Sequence, residues 1–185
     1  MTRFAAERAT ERSGRLVSAT KSNGIIHTMP FWDEVARETV AEFPGVTLEK
    51  VLVDALAARV VLAPESLDVI VASNLFGDIL SDLAAAVAGS LGVAPSANLN
   101  PEREHPSLFE PVHGSAPDIA GKGLANPVAA IWAGGMMLRH LGQPDAADTL
   151  EAAFGKVLSS GTRTRDLGGT ATTTEFTEAV LAELR

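Results

Sequence analysis

The chain has 185 residues, 46% hydrophobic and 21% charged, a balance that fits a soluble globular protein with a substantial core. Its net charge of −8, with no Lys/Arg run, argues against nucleic-acid binding. No apolar stretch reaches the roughly 18–20 residues of a membrane span, no signal-peptide core follows Met1-Thr-Arg-Phe, and the absence of cysteine removes disulfides and Cys metal sites, so a cytoplasmic location is expected.

Phe4–Arg12 reads as a short polar helix, and Arg15–Thr20 as a strand that delivers Lys21-Ser-Asn-Gly at its end. Pro30 opens a periodic segment to about Glu42, with Phe31, Val35 and Val40 expected on its buried side. After the stop Phe43-Pro-Gly come a strand, Val46–Val53, and a helix, Ala55–Leu62, closed by Pro64. Leu67–Ala72 is a continuous apolar run of the kind found in buried strands, and Asn74 is suited to cap the helix that follows. Strand and helix alternate, which predicts an α/β architecture. Gly92–Glu110, with Pro95, Pro101 and Pro106, reads as a long irregular stretch. Helices are then expected over Pro127–Leu141, Asp145–Ser159 and Thr173–Leu184, with a domain junction near Ala97–Asn100.

Three aspartates fall at strand ends or helix starts. Asp78 and Asp82 are four apart, so they share one helix face, where like charges cost roughly 0.2–0.5 kcal/mol. A hard divalent cation such as Mg²⁺ or Mn²⁺ would turn that repulsion into a binding site; acids favouring the helix dipole are the alternative. In a parallel sheet the carboxyl ends of strands share one edge, so Asp54 and Lys21 can approach the pair there. A lysine near carboxylates and a metal suits proton transfer; an exposed loop lysine without a role is the other reading. In Glu110-Pro-Val-His-Gly-Ser-Ala-Pro-Asp118 the small residues Gly114, Ser115 and Ala116 admit a ligand close to the backbone, and Asp118 can accept hydrogen bonds from a ribose diol; a plain surface loop explains the pattern equally well. No Gly-x-Gly-x-x-Gly turn, Walker loop or His-Glu-x-x-His is present.

Residues 74–82, 89–97 (Gly-Ser-Leu-Gly-Val-Ala-Pro-Ser-Ala) and 109–121 together resemble the isocitrate/isopropylmalate dehydrogenase family of metal-dependent, NAD(P)-linked decarboxylating dehydrogenases. Lys21-Ser-Asn-Gly, Met29-Pro-Phe-Trp-Asp-Glu and Ser96–Arg103 are more similar to its tartrate/D-malate branch than to its isopropylmalate branch. The resemblance implies an isopropylmalate-dehydrogenase-like α/β fold of which only the C-terminal half is present. Residues 1–97 would be part of the second (dimerisation, metal-site) domain, and 98–185 part of the first (cofactor-binding) domain. It implies metal ligation by Asp78 and Asp82, with Asp54 as a third ligand and Lys21 as the proton-moving lysine, both supplied by the neighbouring subunit of a homodimer. It further implies an adenosine-binding loop, His113, Gly114, Ser115, Ala116, Pro117 and Asp118, with Asn126, and NAD in preference to NADP because Asp118 suits a ribose diol. The substrate would be a small 2-hydroxy acid of the tartrate/D-malate type, with 3-isopropylmalate next.

The family's substrate-gripping arginine cluster and acid tyrosine have no counterpart here, and the chain has no tyrosine at all. A fragment or half-enzyme with little activity alone is therefore expected, completed by an N-terminal-half polypeptide. Residues 98–185 should then lack sheet partners and expose apolar surface. A non-catalytic regulatory subunit predicts eroded ligands, yet Lys21, Asp54, Asp78 and Asp82 all stand. A small acidic binding module is the third reading.

Overall fold

A computed structural model describes residues 1–185, which divide into two compact units, Met1–Val87 and Ala88–Arg185. The division falls ahead of the junction expected near Ala97, because the segment after Val93 pairs within the second unit.

In the first unit, helix α1 (Thr2–Thr10) leads into strand β1 (Arg15–Thr20), helix α2 (Met29–Val40), strand β2 (Thr47–Leu52), helix α3 (Val53–Leu62), strand β3 (Val69–Val71) and helix α4 (Asn74–Val87). The three strands are parallel in the order β2-β1-β3. Central β1 is buried on both faces, and its side chains alternate between two cores, as the period of two in a strand requires. Leu16 joins Ala5, Ala6 and Ala9 of α1 and Val40 of α2 on one face. Val17 and Ala19 join Leu56 and Val60 of α3 and Leu80 of α4 on the other. Helices thus cover both faces of a parallel sheet, the arrangement expected from the alternation of elements.

Two local expectations change. The buried stripe of α2 is Trp32, Ala36 and Val40, while Phe31 and Val35 are exposed. The Trp32 indole N–H donates to Ser18 Oγ (3.0 Å), and this anchor turns the helix so that the Phe31 side faces away. Helix α4 begins at Asn74 itself. The Gly77 N–H bonds the Ser73 carbonyl (2.7 Å), which puts Ser73 in the capping position.

Asp68, just ahead of β3, ties α1 to the sheet. It accepts from Arg12 Nε (2.6 Å), from the Ser13 backbone N–H (3.1 Å) and from the Ser13 hydroxyl. The Ser13 hydroxyl and then Arg12 hold its carboxyl down at about 2, from an ordinary 3.8. Because the folded value is the lower one, the stabilisation is present above pH ~3.8 and is lost as pH falls towards 2. Its side chain is 9% exposed but Arg12 is 63% exposed, so screening trims the gain to roughly 1–2 kcal/mol. Asp68→Asn should cost that amount at pH 7 and flatten the acid limb of a stability-against-pH curve between about pH 4 and 2. Urea titrations across that range check it.

The second unit holds the antiparallel strands β4 (Pro95–Asn98) and β5 (Leu108–Pro111), then helices α5 (Val128–His140), α6 (Pro144–Ser159) and α7 (Thr173–Glu183). The stretch expected to be irregular therefore contains β4 and the start of β5. Pro95 and Pro111 sit opposite each other at the ends of the ladder, where a missing N–H is tolerated. Helix α5 packs on the strand pair and on α6. Val128, Phe154, Val157, Phe176 and Val180 form the core, and Thr172 and Glu175 close a capping box at the start of α7. The unit does have one strand pairing of its own, while Leu108, Met137 and Leu141 are exposed. No helix is long and apolar enough to cross a membrane.

Candidate functional site

The register of β1 and β2 explains the first part of the site. Thr20 pairs with Leu52 at the last rung, so both chains leave the sheet at one level. Lys21 follows one strand, and Asp54 lies in the first turn of α3 behind the other. Lys21 Nζ donates to Asp54 Oδ1 at 2.7 Å. That hydrogen bond holds the exposed Asp54 carboxyl below the usual carboxylate range. The backbone N–H groups of Gly24 (2.9 Å) and Ile25 (2.7 Å) close on the Lys21 carbonyl and fix the turn that presents it.

β1 and β3 are neighbours, and their following segments run to opposite faces of the sheet: α2 to the α1 side, α4 to the α3 side. In α/β sheets ligands bind outside the carboxyl ends of the strands at such a switch point, and Lys21 follows the carboxyl end of β1. Helix α4 buries Phe76 and Leu80 and exposes Asp78 and Asp82. None of the chain's salt bridges or side-chain hydrogen bonds engages either carboxylate. The pattern-based expectation that the strand edge would gather Asp54 with the pair is not met within one chain, where no group of three metal-ligating side chains forms. Asp54 bonds Lys21 through Oδ1, and the pair stands along the side of α4 beyond its first turn.

In the second unit, β5 runs into the loop holding His113–Asp118. Gly114, Ser115, Pro117 and Asp118 are exposed, and His113 Nδ1 lies 3.0 Å from the Gly114 carbonyl. Ala116 has φ 41°, a left-handed conformation rare for a side-chain-bearing residue, immediately before Pro117. Strain of this kind clusters at ligand clamps. Relief of about 1–2 kcal/mol in Ala116→Gly opposes a loss of about 0.4–1 kcal/mol from the freer unfolded chain. The variant should therefore gain roughly 0.5 kcal/mol, read as a slightly higher melting temperature.

Asn126 is placed differently from the loop. It is buried, its Oδ1 accepts from the Val128 N–H (3.0 Å) and its Nδ2 donates to Asp166 Oδ2 (2.8 Å). Its side chain is thus spent on starting α5 and on Asp166. Asp166 also accepts from Ser90 Oγ (2.5 Å) and Thr164 Oγ1 (2.6 Å). Burial pushes the Asp166 carboxyl up, and these donors outweigh it and keep the carboxyl low. A Cβ on Gly92 would come within 2.8 Å of Asn126 Cβ, so glycine is required beside this network.

Sequence reasoning missed two carboxylates, Asp166 and Asp33. Asp33 sits on α2 3.2 Å from Lys50; burial raises its pKa, and the hydroxyls of Thr20 and Ser22, which flank Lys21, outweigh that effect. Most of their partners are remote in sequence, and only the Trp32-Asp33-Glu34 motif hinted at one. A cavity of about 690 Å³ opens between α2 and the edge strand β2, lined by Val40, Phe43, Val46, Leu48 and Lys50. Asp33 also lines it, but none of Lys21, Asp54, Asp78 or Asp82 does.

The isocitrate/isopropylmalate dehydrogenase family matches residues 1–180. A probable tartrate dehydrogenase/decarboxylase of Bacillus subtilis is 52% identical over 183 residues, covering 99% of this chain and 52% of that protein. The decarboxylating D-malate dehydrogenase of Escherichia coli is 53% identical over 184 residues, covering 96% of this chain and 51% of that protein. The crystal structure of isocitrate dehydrogenase from Methylococcus capsulatus superposes with a TM-score of 0.92 at 42% identity, covering 100% of this chain and 55% of that one. The fold is that of the isocitrate/isopropylmalate dehydrogenase class. The chain belongs to the isocitrate/isopropylmalate dehydrogenase family, and it spans about half the length of the relatives it matches.

Proposed function

We propose that this chain supplies one half of a metal-dependent, NAD-linked enzyme for oxidative decarboxylation of a 2-hydroxy dicarboxylic acid of the tartrate/D-malate type. It would work in the cytoplasm as a homodimer with shared sites, completed by the half of the fold it lacks. The 2.7 Å Lys21–Asp54 ion pair at the carboxyl edge of a parallel sheet, next to a helix bearing two uncommitted aspartates, carries this reading.

The donor set suits a hard cation, since Asp78 and Asp82 offer only carboxylate oxygens and are free to do so. Two such ligands in one chain make an incomplete site, and a second copy offers the third, the partner subunit's Asp54. The surface beside the pair suits such a copy. Leu75 and Ile79 on α4 and Val61 and Leu62 on α3 are exposed, Leu62 at 81%, an apolar face that association would bury.

Once held by Asp78, Asp82 and the partner's Asp54, Mg²⁺ or Mn²⁺ would supply Lewis-acid polarisation of the substrate's 2-hydroxyl and carboxylate. The partner subunit's Lys21, oriented by that Asp54, would carry the proton of that hydroxyl. The exposed residues Gly114, Ser115 and Pro117 would let NAD, the hydride acceptor, approach the backbone closely, and Asp118 would accept from the adenosine ribose diol. A carboxylate there repels the extra phosphate of NADP.

The test is turnover of D-malate, tartrate and 3-isopropylmalate with NAD and Mn²⁺, by the chain alone and reassembled with the other half. Turnover of D-malate or tartrate only after reassembly, with NAD above NADP, is expected. Robust turnover by the chain alone would remove its half-enzyme status, and no turnover of any of the three after reassembly would sink the reading.

A further inference from the structure

The cavity between α2 and the edge strand β2 has a charged end and an apolar end. The Trp32 indole on Ser18 and the 3.2 Å contact of Asp33 with Lys50 hold the start of α2 over the later residues of β1 and β2. The chain then turns back through the bond from the Val46 N–H to the Phe43 carbonyl (2.9 Å), so Val40, Phe43, Pro44, Val46 and Leu48 line the other end. At about 690 Å³ the cavity is the size of small-molecule sites, roughly 300–1,000 Å³, which are mostly apolar with a few placed polar groups.

The charged groups are two carboxylates, Asp33 and Glu34, and two cations, Arg37 and Lys50. Asp33 and Lys50 answer each other's charge. Glu34 enters none of the chain's ion pairs or side-chain hydrogen bonds. Arg37 only reaches Glu38 at 4.0 Å, with both side chains exposed, a contact that contributes little. Glu34 and Arg37 are three apart on one helix, which sets their Cβ atoms roughly 5–6 Å apart, yet they do not pair with each other.

We propose that this cleft binds a free α-amino acid with an apolar side chain, its ammonium on Glu34, its carboxylate on Arg37 and its side chain along Val40, Phe43 and Leu48. An acceptor and a forked donor at that separation match the two ends of a zwitterionic head, and the apolar floor takes the rest. A ligand with a carboxylate alone would meet Asp33 and Glu34 unanswered, and one with an ammonium alone would meet Arg37 and Lys50. Only a ligand carrying both charges has both complemented. Every residue lining the cleft lies within Met1–Val87, so the inference does not depend on the half-enzyme reading.

Two-dimensional NMR of the 185-residue chain, titrated with L-leucine, tests this. Saturable shift changes centred on α2 and β2 are expected. Removing one charge from leucine gives 3-methylbutylamine or 4-methylpentanoate, and each should bind about tenfold more weakly. Glu34→Gln and Arg37→Gln alter exposed side chains, so melting should be unchanged while leucine affinity falls about fivefold in each. Ala41→Trp, at an exposed position on the cleft wall, should fill the apolar end and remove binding without lowering the melting temperature. No saturable shift at millimolar leucine, an amine or an acid that binds as well as leucine, or binding indifferent to Arg37→Gln and Ala41→Trp would each overturn the proposal.

Discussion

Mn²⁺ at a hundredfold excess over its dissociation constant should raise the melting temperature of the wild-type chain by about 5–10 °C, and Asp78→Asn should abolish that rise. Ligand that binds only the folded state contributes about 2.7 kcal/mol at this excess. For a chain of this size, each kcal/mol moves the midpoint by roughly 2–4 °C. The change to asparagine keeps size and shape, and Asp78 is exposed without an ion-pair partner, so melting without metal should change little, or rise as the repulsion from Asp82 is relieved. Differential scanning fluorimetry with and without Mn²⁺ reads both numbers. An equal Mn²⁺ shift in the two proteins would leave Asp78 and Asp82 as ordinary surface acids.

Most of the first unit was legible because its signals are local. Arg15–Thr20 has the bounds expected of β1, and the apolar run ending at Ala72 contains β3. What failed there was the orientation of α2. Phe31 and Val40 are nine residues apart and so half a turn out of phase, whereas Trp32, Ala36 and Val40 follow at i, i+4 and i+8 on one face, which one side chain reaching Ser18 on β1 anchors. The β4–β5 ladder was hidden for the opposite reason. Its strands are four residues each, open or close on proline, and are half-exposed or exposed, so neither length nor alternation marked them.

At the candidate site, residue types and spacing found Lys21, Asp54, Asp78 and Asp82, but not how they divide. Asp54 was expected beside the aspartate pair as well as beside Lys21, and only the register of β1 against β2 shows that within one chain it bonds the lysine through one oxygen. Asp166 was illegible because its partners Ser90 and Asn126 lie 76 and 40 residues away, and no local pattern links them. The same contacts explain why Asn126, read as part of the adenosine loop, has a buried side chain already in use.

The division between Lys21–Asp54 and Asp78–Asp82 leads to the sharpest expectation. If each metal site takes Asp78 and Asp82 from one copy and Asp54 from the other, Asp54→Asn and Asp78→Asn homodimers each spoil both of their sites. In a mixed dimer the two lesions fall in the same site, and the other site contains only unaltered residues. Refolding the two variants together in equal amounts should give mixed dimers as about half of the population, with one intact site in two, so about a quarter of the wild-type tight Mn²⁺ sites return. Electron paramagnetic resonance of free Mn²⁺ counts those sites without requiring turnover. Sites built within one chain would give none, because every chain in the mixture carries a lesion. The exposed apolar face of α3 and α4 supplies a second arm to the same argument: Ile79→Asp, next to Asp78 but not a ligand, should prevent dimers and with them both the wild-type Mn²⁺ shift and the recovery on mixing.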